Sequence, residues 1–142
     1  MRKPFDQALH DENDRVAKQA VRDLIKFKWN LDCQEGDKYA VDLVVMKDGE
    51  ILGYAEVERR HNWVGEFSFP TVHVPYRKQK FFSLNKPTLL FAVSKDLSLA
   101  MYCGGEEILS SPVEFINNRY AENEPFFDVP IELWKTVELL PF

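Results

Sequence analysis

Apolar residues recur at helical spacing early in the chain. Val16, Ala17, Ala20, Val21, Leu24 and Ile25 make one stripe and predict a helix over about residues 11–28. Asp11, Glu12 and Asp14 stand at its start and Lys26 and Lys28 near its end, the charge order a helix dipole favours. The period then changes. Residues 31–34 read as a short edge strand and 39–46 as a strand rich in β-branched residues. Lys47-Asp48-Gly49-Glu50 carries a turn signal, and residues 51–59 return as the second arm of a hairpin. Residues 61–74, with Trp63, Phe67, Phe69 and Pro70, are aromatic-rich and fit no single period. Residues 75–83 predict a short helix with Pro75 in its first turn. The continuous apolar run 88–94 suits a buried strand, and 97–103 follows as another. Gly104-Gly105 reads as an ordinary turn. Beyond Ser110 the pattern is irregular: Pro125, Pro130 and Pro141 disfavour long helices, and Ile131, Leu133 and Trp134 are expected to tuck back onto the core. This order fits an α/β fold, a mixed β-sheet flanked by helices.

Composition narrows the picture. The 142 residues, 45% hydrophobic, suit one domain with one core over about residues 10–103 and a tail, 104–142, packed back on it. Cys33 and Cys103 make neither a disulfide framework nor a zinc-ligand spacing. No stretch approaches the roughly 18 apolar residues of a membrane span. The basic start lacks the apolar run of a signal peptide, so a cytoplasmic protein without a membrane partner is expected. A net charge of −5 and a pI near 5.2 argue against a dedicated, tight nucleic-acid binder. They leave room for an enzyme whose acidic site is partly neutralised by a bound cation.

The chemistry concentrates in the hairpin. Alternate residues of a strand share a face, which groups Asp42 with Val44 and Met46, and Tyr54 with Glu56 and Glu58. Glu56 and Glu58 are costly to bury without partners. A two-residue turn at Asp48-Gly49 would set Asp42 opposite Ala55. A three-residue loop, Asp48-Gly49-Glu50, or an equivalent bulge further along, sets Asp42 opposite Glu56. In that second register like charges crowd one spot. A hard cation such as Mg²⁺ or Mn²⁺ would relieve them, with the backbone carbonyl of Val57 as a further oxygen.

An acidic residue in one strand, a short turn and Glu-x-Glu in the next, here Asp42, Glu56 and Glu58, resembles the PD-(D/E)XK nuclease superfamily in its Glu-x-Glu form. That restriction-endonuclease-like group includes restriction endonucleases, junction resolvases and phage exonucleases. The order of elements over roughly residues 10–103 is similar to its αβββαβ core. Two positions depart from the pattern: Val41 stands in place of Pro, and Glu58 in place of the usual Lys. The resemblance implies a divalent-metal-dependent nuclease in which Asp42, Glu56 and Val57 hold Mg²⁺ or Mn²⁺. Glu58 would serve as base or ligand, or Lys78 or Lys80 would reach in from the second helix. Glu12, with Asp14 in reserve, would add an acid from the first helix. Arg59, Arg60, Arg77, Lys78 and Lys80 would contact phosphates, on DNA in preference to RNA. Family analogy also suggests a homodimer.

Plainer readings compete. Asp42 can solvate a strand end, and Glu56 and Glu58 can form cross-strand salt bridges. Arg77, Lys78 and Lys80 suit a solvated helix face, and Glu12 and Asp14 suit helix N-terminal charges. His61 and His73 match no metal spacing. Trp63, Phe67 and Phe69 could stack on bases, but aromatics more often serve core or interface. The rival to a nuclease is an inactive member of the same fold, acting as a binding or assembly module. The acidic pI, the missing lysine and the aromatic insert point that way.

Overall fold

A computed structural model of the chain describes residues 7–36, 41–116 and 124–139, without the side chains of 7–14 and 116. Helix α1 spans Gln7–Trp29 and is followed by strands β1 (Asp32–Glu35), β2 (Leu43–Lys47) and β3 (Glu50–Arg60). Strand β4 (Thr71–Pro75) runs into a 3₁₀ segment, Tyr76–Phe82, and then come β5 (Thr88–Ser94) and β6 (Leu99–Gly104). Helix α2 (Gly105–Leu109), β7 (Val113–Ile116), β8 (Glu124–Pro130), a 3₁₀ turn at Ile131–Leu133 and β9 (Lys135–Glu138) complete the described chain. Among the described residues no helix is long and apolar enough to cross a membrane.

The fold is mixed α/β. Six strands form one sheet in the order β1-β2-β3-β5-β6-β9, in which β3 and β5 are parallel and the other neighbours antiparallel. On one face Ala17, Val21, Leu24 and Ile25 of α1 pack against Leu43, Ala55, Val57, Phe91 and Val93. On the other, Leu90, Ala92 and Met101 pack against Val72, Val74, Phe127 and Val129 of a second sheet, ordered β4-β8-β7. A parallel pair cannot be joined by a tight turn. The β3–β5 connection therefore leaves the sheet, and it carries β4 and the 3₁₀ segment across its face.

Several sequence expectations change. Helix α1 starts at Gln7, so Asp11, Glu12 and Asp14 lie beyond its first turn. The helix expected at 75–83 is 3₁₀, and Pro75 precedes it as the last residue of β4. Gly104 and Gly105 are no plain turn: the first ends β6 and the second begins α2. The tail is not irregular either. It supplies β7 and β8 to the second sheet and β9 to the edge of the first. Its prolines disfavour long helices, and among the described residues of the tail none forms, but they leave room for strands: Pro125 and Pro130 fall near the two ends of β8.

The hairpin register is decided by two local features. Lys47 pairs with Glu50 across a two-residue turn, with Asp48 at φ 51° and Gly49 at φ 83°. Both positive angles match the primed turns that fit strand twist, so the three-residue loop does not form. The pairing then slips between Met46–Ile51 and Val45–Gly53, leaving Leu52 as the extra residue of a bulge. From there Leu43 pairs with Ala55, and one step further Asp42 lies beside Glu56.

Candidate active site

The β2–β3 ladder stops at Leu43–Ala55, where β2 begins and the residues before it turn away from β3. Val41 donates its N–H to the Gly36 carbonyl, and Gly36 donates its own to the Asp42 carbonyl. Gly36 is required there, since a Cβ would stand 2.2 Å from the Val41 oxygen. The departure opens the β2–β3 ladder, and side chains close it. Asp42 Oδ2 accepts the Val57 N–H at 2.8 Å, while Glu56 Oε2 accepts the Asp42 N–H at 2.7 Å. Each carboxylate thus holds the other strand's backbone through one oxygen.

The remaining carboxylate oxygens meet cations. Asp42 Oδ1 lies 3.8 Å from Lys18 Nζ of α1, and Glu56 Oε1 lies 3.6 Å from Lys78 Nζ of the 3₁₀ segment. Lys78 also stands 3.8 Å from Glu58 Oε2, and Arg60 donates to Glu58 Oε1 at 2.8 Å. The chain of contacts runs from Lys18 of α1 through the adjacent acids Asp42 and Glu56 to Lys78, Glu58 and Arg60. Glu56 is the deepest member, its side chain 4% exposed against 23% for Asp42, 20% for Glu58 and 17% for Lys78. Burial pushes the Glu56 carboxyl up to about 7, and the neighbouring Asp42 charge adds to the rise. The Asp42 N–H and Lys78 pull the other way.

A hard divalent cation finds suitable donors here in kind: two adjacent carboxylates, each with one oxygen not committed to the backbone. Those oxygens face ammonium groups at 3.6 and 3.8 Å, so a metal would compete with Lys78 and Lys18 for them. Among the described residues no group of three acidic, histidine or cysteine side chains is drawn together as a metal cage. The Glu12 side chain lies outside the described residues.

The proposed site residues separate into two sets. Asp42, Glu56, Glu58, Lys78 and Arg60 come together, with Val57 donating to Asp42. Lys80 and Arg77 are exposed on the 3₁₀ segment; Lys80 lies over the Phe81 ring and Arg77 pairs with Glu124. Arg59 points elsewhere, bonding the Lys95 carbonyl, as strand alternation requires of a neighbour of Arg60. Sequence reasoning missed Lys18. Its signal was position: it follows Ala17 and precedes Arg22 by four residues on the rim of the apolar stripe, and both cations reach Glu35 of β1.

No family model, curated protein or solved structure matches this chain.

Proposed function

We propose that this protein is a divalent-metal-dependent nuclease built on a restriction-endonuclease-like αβββαβ core, acting on nucleic acid, with DNA the favoured substrate. The observation that carries the reading is the approach of Lys78 to Glu56 and Glu58 beside Asp42. Glu58 stands in strand β3 where the nuclease pattern has lysine, and Lys78 brings a lysine to that place from a different element.

Asp42 and Glu56 would hold Mg²⁺ or Mn²⁺; when bound, such an ion supplies charge stabilisation at a phosphoryl group and lowers the pKa of water. The chain's own groups do the rest. Lys78, displaced from Glu56, is placed to pair with a phosphate oxygen or to orient the attacking water. Glu58 is held by Arg60 and can accept a proton from that water. The new bond joins the water oxygen to phosphorus, one ester P–O bond breaks, and the departing oxygen takes a proton. Arg60, next to this cluster, suits a second phosphate contact.

One observation favours the rival reading of a non-catalytic binding module. Each carboxylate of the cluster already meets a cation, so the fold needs no metal to balance it.

The two readings part in one experiment. Labelled single-stranded, double-stranded and branched DNA, and RNA, are incubated with the protein in Mn²⁺ or Mg²⁺, beside Asp42→Ala and Glu56→Ala. Cleavage that both variants and a chelator abolish supports the nuclease. Absence of cleavage on every substrate, with no metal-induced rise in melting temperature, assigns the chain to the binding module.

A further inference from the structure

Two clefts of about 410 and 400 Å³ are both lined by Glu106 and Glu107, which disfavours a polyanion. A smaller cavity of about 180 Å³ differs in chemistry and position. Its walls include Arg60, Asn62, Phe67, Phe69, Thr71 and His73. It is well below the ~300–1,000 Å³ of a drug-sized ligand pocket and suits one planar ring system.

Arg60 belongs to both places. Its Nη2 donates to Glu58 Oε1 at 2.8 Å and to the His73 carbonyl at 2.8 Å, tying the carboxylate cluster to the cavity wall. Glu58 and Arg60 are two residues apart on β3, which puts the cavity roughly 7 Å along the strand from the cluster. The aromatic wall is braced from the core. Trp63 is buried and donates its indole N–H to the Gly65 carbonyl. Phe67 meets it edge-on at 5.5 Å, and Phe69 meets Phe67 at 5.5 Å while remaining 55% exposed. An exposed ring held by a packed ladder is a stacking platform. In the same lining, the Asn62 amide carries both donors and an acceptor suited to the edge of a ring, and Arg60 adds a positive charge.

We propose that this cavity binds an unpaired nucleobase, so that the substrate carries single-stranded nucleotides beside the scissile bond. A base within a duplex has both faces stacked and its pairing edge occupied, and it enters such a pocket only after leaving the helix. Phe69 stacks on the base, and Asn62 reads its edge. This assignment rests on the nuclease reading for its biological meaning but is tested apart from it.

The test is binding in chelator, where no metal-dependent cleavage proceeds. Fluorescence anisotropy compares a labelled oligothymidylate with the same strand in an oligothymidylate–oligoadenylate duplex, for the wild-type protein, Phe69→Ala and Phe69→Trp. The single strand is expected to bind tighter. Phe69→Ala should weaken that binding roughly 5- to 150-fold, the range of one base–aromatic stack, and leave duplex binding unchanged; Phe69→Trp should retain it. Equal binding of single strand and duplex, or unaltered single-strand binding by Phe69→Ala, overturns the pocket even where the protein cleaves. Stack-dependent binding without cleavage in Mg²⁺ or Mn²⁺ upholds the pocket and removes the nuclease.

Discussion

Asp42 and Glu56 complete each other's backbone. Glu56 Oε2 accepts the Asp42 N–H, and Asp42 Oδ2 accepts the N–H of Val57, next to Glu56. Two acids that would repel as a bare pair are thus the joint between β2 and β3, and the same joint positions the oxygens that face Lys18 and Lys78.

Crowding alone would make Asp42→Ala neutral or stabilising. The hydrogen bonds reverse that sign. Removing the carboxylate strands the Val57 N–H and leaves Lys18 with one acid fewer. The expected loss is about 1–3 kcal/mol, the cost of an unmade bond to a buried donor. Urea unfolding of wild type and Asp42→Ala measures it; an unchanged midpoint would show that the joint contributes nothing.

Glu56 makes stability depend on pH. Its carboxyl titrates at about 7 in the folded protein against 4.5 for the ordinary group. Between those values the folded state holds a proton the unfolded state has released. The contribution is full below 4.5 and is lost as pH rises through 7. The span corresponds to roughly 3 kcal/mol. Glu56→Gln keeps an acceptor for the Asp42 N–H but cannot ionise, so its stability should vary less between pH 4.5 and 8 than that of wild type. Parallel curves for the two proteins would refute the assignment.

Lys78→Met separates charge compensation from chemistry. The methionine keeps much of the stem and can still pack near Phe81, which the Lys78 ammonium overlies at 5.8 Å. With the competing ammonium gone, Mg²⁺ should bind more tightly and raise the melting temperature more than in wild type. On the nuclease reading, cleavage should nevertheless fall by about 10²-fold or more, as for loss of a group that handles a proton or developing charge. A melting response to Mg²⁺ identical to wild type would mean that Lys78 does not compete for the metal oxygens.

Gly36→Ala probes the turn behind the site. The new methyl would stand 2.2 Å from the Val41 oxygen and 2.7 Å from Val41 Cγ2, forcing the segment that holds Asp42 to shift. Overpacking of this kind costs about 1–3 kcal/mol. On the nuclease reading, cleavage should drop with stability, although Gly36 bears no reactive group. Full activity with a native melting temperature would show that the segment relaxes freely.

The residue pattern by itself determined the parts that depend on near neighbours. The helical stripe of α1, the apolar run of β5 at 88–94, the hairpin around Asp48-Gly49 and the shared face of Glu56 and Glu58 were all legible, because period and turn chemistry are local. The sequence also posed the decisive question of whether Asp42 meets Glu56, but left its answer to a choice of register. Tertiary structure settled that choice with a bulge at Leu52 rather than a longer turn, since a slip of one residue moves every side chain to the other face and packing of Leu43 and Ala55 against α1 selects one outcome. Only the assembled fold could bring Lys18 and Lys78 to the two carboxylates, or make strands of a proline-bearing tail. Those contacts join segments far apart in the chain, and they are set by how helices and sheets stack rather than by what any segment prefers alone.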